Sequence, residues 1–266
     1  MTMTEDIMFK VVERPVEWKD KDGGHHDTGH KALLRVGPAR EPVQLAIVKQ
    51  GYKVITNMEV MDVVTEATKG WKTTVDTYSD QGGAKSFIDV QFKDVHTALN
   101  GSEINFRTIF WNGFGNSSFG AHIGTINAFC TNGQILGTKE TTYKRHTKGL
   151  DPGIAHGWIT QGLKTFNVVH QTWVKWLQQP VDQEQILSAI NQMVEHDIQR
   201  IKLIDLHMDK YTPKYGLNLF SIHQTLTDYA THYEDYRLRA ANSNSRNSRS
   251  FELLKQAEHI INQMAA

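Results

Sequence analysis

"GLDPGIAHGWITQGLKTFNVVHQTWVKW", Gly149–Trp176, is where the hydrophobic period of this sequence changes. Its opening Gly-Leu-Asp-Pro-Gly run breaks the chain. Beyond the break, Ile159, Leu163, Phe166, Val169, Trp173 and Trp176 recur at helical spacing and give a helix one apolar face. Before it, apolar and polar residues alternate singly, which is the pattern of strands. A sheet-rich first part followed by a helix-rich second part predicts an α+β fold.

Upstream of the break, Trp71–Ser79, Ser86–Phe92 and Ile104–Trp111 read as strands. Gln81-Gly82-Gly83 and Asn100-Gly101-Ser102 separate them as turns. Their alternation predicts an antiparallel sheet with one covered face. Ala121–Cys130 reads as a further strand, after a Gly-, Asn- and Ser-rich loop over Trp111–Gly120. Val43–Lys49 and Tyr52–Asn57 flank Gln50-Gly51 as a hairpin. Met58, Met61, Val64 and Ala67 recur every third residue and predict a short helix. Downstream, Pro180 stops the first long helix, and Asp182 with Gln185 forms a capping-box pair for the second. The second helix has the apolar line Ile186, Ile190, Met193, Val194, Ile201 and Ile204. A third runs over Leu217–Arg239 and a last over Phe251–Met264. The low-complexity run Ala241–Ser250 reads as a mobile loop. The expected organisation is a polar N-terminal segment over 1–31, its "KDKDGGHHDTGHK" (Lys19–Lys31) a loop, then one α+β domain over 32–266. That domain has an antiparallel sheet-rich core over 32–150 and about four helices over 151–266.

With 266 residues, 39% of them hydrophobic and 22% charged, the chain has ordinary globular composition and length for a sizeable core. No apolar run approaches the ~20 residues of a membrane span, so no membrane partner is expected. "MTMTEDIMFK" lacks the features of a signal peptide, and the single cysteine, Cys130, cannot form an internal disulfide. Both point to a cytoplasmic protein. The net charge is zero but unevenly spread. Ile104–Pro180 holds seven basic and two acidic residues, whereas Asp182–Asp235 holds four basic and nine acidic ones.

Several residue groups invite a chemical reading. His25, His26 and His30, with Asp22 and Asp27, are potential zinc ligands. Their glycine-rich setting and the absence of HExxH or paired CxxC spacing favour a solvated loop instead. Cys130 as a nucleophile would need His122 or His146 as base. Eight positions along a strand put 122 and 130 some 26 Å apart, so a packed small hydrophobe is the competing reading. "GFGNSSFG" fits neither the Walker A nor the Rossmann spacing, and no cofactor is expected. Asp76 with Asp80 and Asp89 with Asp94 supply the carboxylates of an alternative reading, a metal-dependent nuclease.

The most coherent group mixes cations and rings. Arg107, Lys139, Lys144, Arg145 and Lys148 are the expected phosphate contacts of a single-stranded DNA-binding protein. Trp111, Phe114, Phe119 and Tyr143 are the expected base-stacking rings. Strand alternation assigns Phe106, Phe110 and Phe129 to the core, whereas the loop position of Trp111, Phe114 and Phe119 predicts exposure. Arg237, Arg239, Arg246 and Arg249 form either a phosphate-contacting arm or a plain linker.

"LAIVKQGYKVITNMEVMDVV" (Leu45–Val64), "INAFCTNGQ" (Ile126–Gln134), "KRHTKG" (Lys144–Gly149) and "LNLFSIHQTLTDYATHYED" (Leu217–Asp235) resemble the successive signatures of a phage- and plasmid-associated family, domain of unknown function nine-hundred-thirty-two. The resemblance covers about residues 32–265, with the Gly51-Tyr52 step shorter than the family pattern. It implies a phage-encoded protein of DNA replication or recombination, working in the host cell cytoplasm beside host or phage replication proteins. It brings no catalytic residues. A relationship to phage single-strand annealing and single-strand-binding proteins would add a homo-oligomer and a basic groove. The expected function is single-stranded DNA binding, with strand annealing, and no covalent chemistry. A second alternative is a phage protein that modulates a host enzyme through the acidic helices of Asp182–Asp235.

Overall fold

Strands fill the first half of the chain and helices the second, as an α+β fold requires. The computed structural model describes residues 7–37, 40–115, 117–127, 132–135, 141–232 and 246–266. Strands β1 (Lys10–Lys19), β2 (His25–Gly37) and β3 (Arg40–Lys49) form a three-stranded antiparallel sheet in that order. A second sheet runs β4 (Thr73–Asp80), β5 (Lys85–Leu99), β6 (Ser102–Gly113), β7 (Phe119–Asn127) and β8 (Asn132–Ile135), and β9 (Thr141–Lys144) also pairs with β7. The helices are α1 (Asn57–Ala67), α2 (Ile154–Gln178), α3 (Gln183–Met193), α4 (Asp197–Leu206), α5 (Thr212–Tyr215), α6 (Leu219–Thr231) and α7 (Arg246–Ala265). One π-helical turn, His207–Tyr211, joins α4 to α5. The chain forms two compact units: Met1–Val90, Thr108–His122 and Thr141–Thr160 make the first, and Gln91–Arg107, Ile123–Glu140 and Gln161–Ala266 the second. Among the described residues, no helix is long and apolar enough to cross a membrane.

In the first unit, Lys19–Lys31 belongs to a hairpin and is not a loop, so residue 31 falls inside β2. Only Asp20–Gly24 turns: the Asp20 carboxylate accepts from the N–H groups of Asp22 and Gly24, and Gly23 takes a φ of +86°. Trp18 stacks on His26 across the two strands. One face of the sheet carries Leu33 and Val48 into a core with Phe114. Tyr52–Asn57 is not a strand either, because Thr56 and Glu59 form a capping box that starts α1 at once. The helix buries Asn57, Val60 and Val64 and leaves Met58 exposed. Asn57 sets that rotation, donating to the Ile7 carbonyl and Ser86 hydroxyl and accepting from Asn112. Ser86–Val90 and Thr108–Phe114 are buried without a break, so these strands are covered on both faces where one was expected.

In the second unit, Asn100 (φ +46°) and Gly101 (φ +73°) make the turn between β5 and β6 that positive φ at both positions allows. Phe106, Phe166, Trp173 and Phe220 pack ring to ring. Asp182 and Gln185 form the predicted capping box. The predicted second helix breaks at Val194 and restarts at Asp197, which turns Gln199 and Leu203 inward and leaves Ile201 58% exposed. The third predicted helix is α6, ending at Thr231; residues 233–245 lie outside the described residues. The low-complexity run is already helical at Arg246, where α7 begins.

Helix α6 is buried from Leu219 to Ala230 although half of it is polar. Each polar side chain meets a specific partner. Asp228 accepts from Tyr211, from Lys210 at 2.8 Å and from His232 at 3.0 Å. His223 meets Glu258 at 3.1 Å. The Thr225 hydroxyl donates to the Ser221 carbonyl, so it accepts from His207 Nδ1–H at 2.8 Å. Burial pushes Asp228 up, but the hydrogen bonds from His232, Lys210 and Tyr211 and the Lys210 charge outweigh it and hold the carboxyl below its ordinary value. Burial lowers His207 to about 4.

Both groups make the protein acid-sensitive. The Asp228 contribution is present above the ordinary carboxylate value and is lost as pH falls through the lower folded one. Neutral His207 favours the folded state fully above 6.5, and that contribution is lost as pH falls towards about 4. Urea unfolding followed by circular dichroism should therefore show the midpoint dropping between these pH values. His207→Gln, which keeps a donor for Thr225 but does not titrate, should flatten the drop. Asp228→Ala should remove about 3 kcal/mol at pH 7, because it strips the buried donors of their acceptor.

Candidate nucleic-acid interface

The basic segment after β9 is anchored by its two buried residues. His146 and Leu150 are buried, while Arg145, Thr147 and Lys148 are exposed. The Thr147 N–H donates to the Arg145 carbonyl, and the Leu150 N–H to that of Thr147, folding the segment into turns. His146 then clasps the chain that follows β3. Its ring stacks on Tyr52 with centroids 4.9 Å apart and planes 12° apart. Its Nδ1–H donates to the Lys53 carbonyl at 3.1 Å, and the Lys53 N–H returns a bond to the His146 carbonyl. Lys53 Nζ reaches the Leu150 carbonyl at 2.7 Å, and the Tyr52 hydroxyl donates to the Gly113 carbonyl at 3.2 Å. Burial pushes His146 below the ordinary histidine range, so Nε2 keeps its lone pair at neutral pH; that atom is buried and has no hydrogen-bond partner among the described residues. Burial likewise raises the Tyr52 phenol.

The clasp brings the end of β3, the loop after β6 and the basic segment around one cavity of about 990 Å³. Three cations, Lys49, Arg145 and Lys148, line it together with Tyr52, Tyr143, Ser117 and Ser118, and with His30 and His146. Among the described residues, no carboxylate lines it. Charge of one sign in a concave, low-dielectric setting focuses the field and draws in anions. Tyr143, 62% exposed, offers an open ring at the rim.

Of the expected stacking rings, only Tyr143 is open. Trp111, Phe114 and Phe119 are 8%, 4% and 0% exposed. The loop is shorter than the glycines imply: β6 runs to Gly113 and β7 begins at Phe119. Phe114 packs with Leu33 and Val48, and Phe119 lies 5.2 Å from the Trp158 ring. Trp111 packs on His122 and over Gly120, with its Nε1–H on Ser118 Oγ at 3.2 Å. Of the expected phosphate contacts, Arg145 and Lys148 line the cavity, and Lys144 is exposed at the end of β9. Arg107 is half-buried in β6 and belongs to the second unit. Lys139 lies outside the described residues, as do Phe129 and Cys130.

The N-terminal histidines are engaged separately, His25 with Glu17, His26 with Asp20, and His30 Nδ1 with the Thr28 carbonyl. Among the described residues, no three His, Cys, Asp or Glu side chains are grouped to hold a metal ion. Asp76 is exposed on β4 and Asp89 is buried in β5. Sequence reasoning missed Lys49, Tyr52 and His30 as cavity residues. Lys49 and the Gly51-Tyr52 step carried one local hint, a cation closing an apolar strand before a turn.

The family model described as Domain of unknown function (DUF932) matches residues 44–251, more than three quarters of the 266-residue chain. No curated protein and no solved structure matches it.

Gly120 sets a structural test of the close approach between β7 and β9. A Cβ there would lie 2.2 Å from the Trp111 ring and 2.5 Å from the Thr142 carbonyl oxygen. Gly120→Ala should lower stability by about 2 kcal/mol or more, since neither ring nor backbone has room to yield. Thermal unfolding of the variant, followed by near-ultraviolet circular dichroism, measures the loss.

Proposed function

The chain belongs to the DUF932 family, and from that premise we propose that it binds single-stranded DNA in the cavity of its first unit. The observation that supports this most is the lining: Lys49, Arg145 and Lys148 with no carboxylate among the described residues, and the open Tyr143 ring beside them. Cations follow the phosphates of an unpaired strand, and an aromatic face stacks its bases at about 1–3 kcal/mol each. The buried fates of Trp111, Phe114 and Phe119 narrow the proposal: Tyr143 takes the stacking role, and Lys49 joins the phosphate contacts. Strand annealing, a homo-oligomer and a place in phage replication or recombination in the host cytoplasm belong to the same proposal. They rest on the resemblance to a phage- and plasmid-associated family and on the relationship to phage annealing proteins expected of it, and on no feature of the cavity.

Titration with labelled oligo-dT at several salt concentrations tests the reading. Arg145→Ala with Lys148→Ala should weaken binding at least about tenfold for every sequence. Two lost phosphate contacts should flatten the logarithmic salt slope by about 1.4. Both side chains are exposed, so the fold should be unaffected. Unchanged affinity and slope would remove the cavity from consideration. Shortening of the strand in Mg²⁺ or Mn²⁺ would turn the assignment to a nuclease.

A further inference from the structure

The sheet face that opens on the cavity extends well beyond it. The register places Val16 opposite His30 and His30 opposite Lys49; in the neighbouring row Arg14, Ala32 and Ile47 stand opposite one another. Directly opposed residues share a face, and so do residues two apart on a strand. These six therefore lie on one side of the sheet, and His30, Ile47 and Lys49 among them line the cavity. The other side carries Leu33 and Val48 into the core, and Val48 lines the cavity as well, because the cavity lies at the edge strand β3. On the open side, Arg14 and Lys49 are exposed and Ile47 is 53% exposed. None of the six is acidic.

Two positions beyond Val16 on β1 stands Trp18, 54% exposed. Its ring is stacked on His26 with centroids 4.5 Å apart and planes 19° apart. His26 Nε2 is in turn tied to Asp20 at 2.8 Å. A ring already held on one side loses little freedom when a base stacks on the other.

We propose that a single DNA strand leaving the cavity runs across the open face of β1–β3, with Arg14 on a backbone phosphate, Ile47 under a base and Trp18 stacked on a base at the far end. The strand crosses two strand spacings between Lys49 and Arg14, about 10 Å of sheet. Charge complementarity and continuity with the cavity select this occupant: the face is cationic and apolar, and three of its residues belong to both surfaces. The inference rests on the cavity being the DNA site.

The test compares a short and a long oligonucleotide, labelled (dT)4 and (dT)15, by fluorescence anisotropy. Arg14→Ala with Trp18→Ala, both at exposed positions, should leave (dT)4 affinity unchanged and lower (dT)15 affinity about tenfold. Trp18→Phe in place of Trp18→Ala, with Arg14 intact, should keep most of the (dT)15 affinity because it retains a ring. Arg145→Ala with Lys148→Ala should weaken both oligonucleotides. If only this last pair matters, the path over the sheet is wrong and the cavity reading stands. If neither pair changes either oligonucleotide, both fail. Equal loss for (dT)4 and (dT)15 on changing Arg14 and Trp18 would also overturn the path, since the short strand should fill the cavity alone.

Discussion

The stacked pair of Tyr52 and His146 is the contact on which the cationic cavity depends. The two rings come from segments far apart in the chain, and reciprocal bonds between Lys53 and His146 fix their registration. Without them the basic segment would be an exposed run of like charges, which repels itself and has no preferred shape. With His146 and Leu150 turned inward, Arg145 and Lys148 are left on the cavity side beside Lys49. Neutral His146 suits this position. A protonated ring would add a fourth positive charge beneath three others, and burial holds it in the uncharged form.

How much of this was legible depends on what kind of signal each feature leaves. The change of period at Gly149–Gly153 is local and strong, so the division into sheet and helix could be read directly. The Asp182–Gln185 capping box and the Asn100-Gly101 turn were equally plain, because their backbone requirements select few residue types. The N-terminal hairpin was hidden because much of it is exposed on both faces, so no alternation marks it. Ile201 was misplaced because the break after Val194 contains neither proline nor glycine. The cavity was half visible. Arg145, Lys148 and Tyr143 sit in one short basic stretch, whereas Lys49 and Tyr52 join them only through folding. The loop rings failed for a different reason: composition says where a loop is, not which way its aromatic residues turn.

Helix α6 marks the limit of periodicity as a guide. A helix covered on one side displays a stripe, but one covered all round displays nothing, and its interior can be polar if every group is matched. Here Thr225, Thr227 and Asp228 sit within a single turn of a buried helix and each finds its own partner. Such matching disfavours alternative packings, since a slipped helix would strand several polar groups at once.

The order in which residues contribute to the two units has a bearing on how the protein can be made and taken apart. The chain passes from one unit to the other inside β5, β6, β7 and α2, so neither is a continuous stretch. No single cleavage or gene truncation isolates either one intact. During synthesis the first unit waits for its last strand and the start of α2, while the second gathers segments made both before and after them.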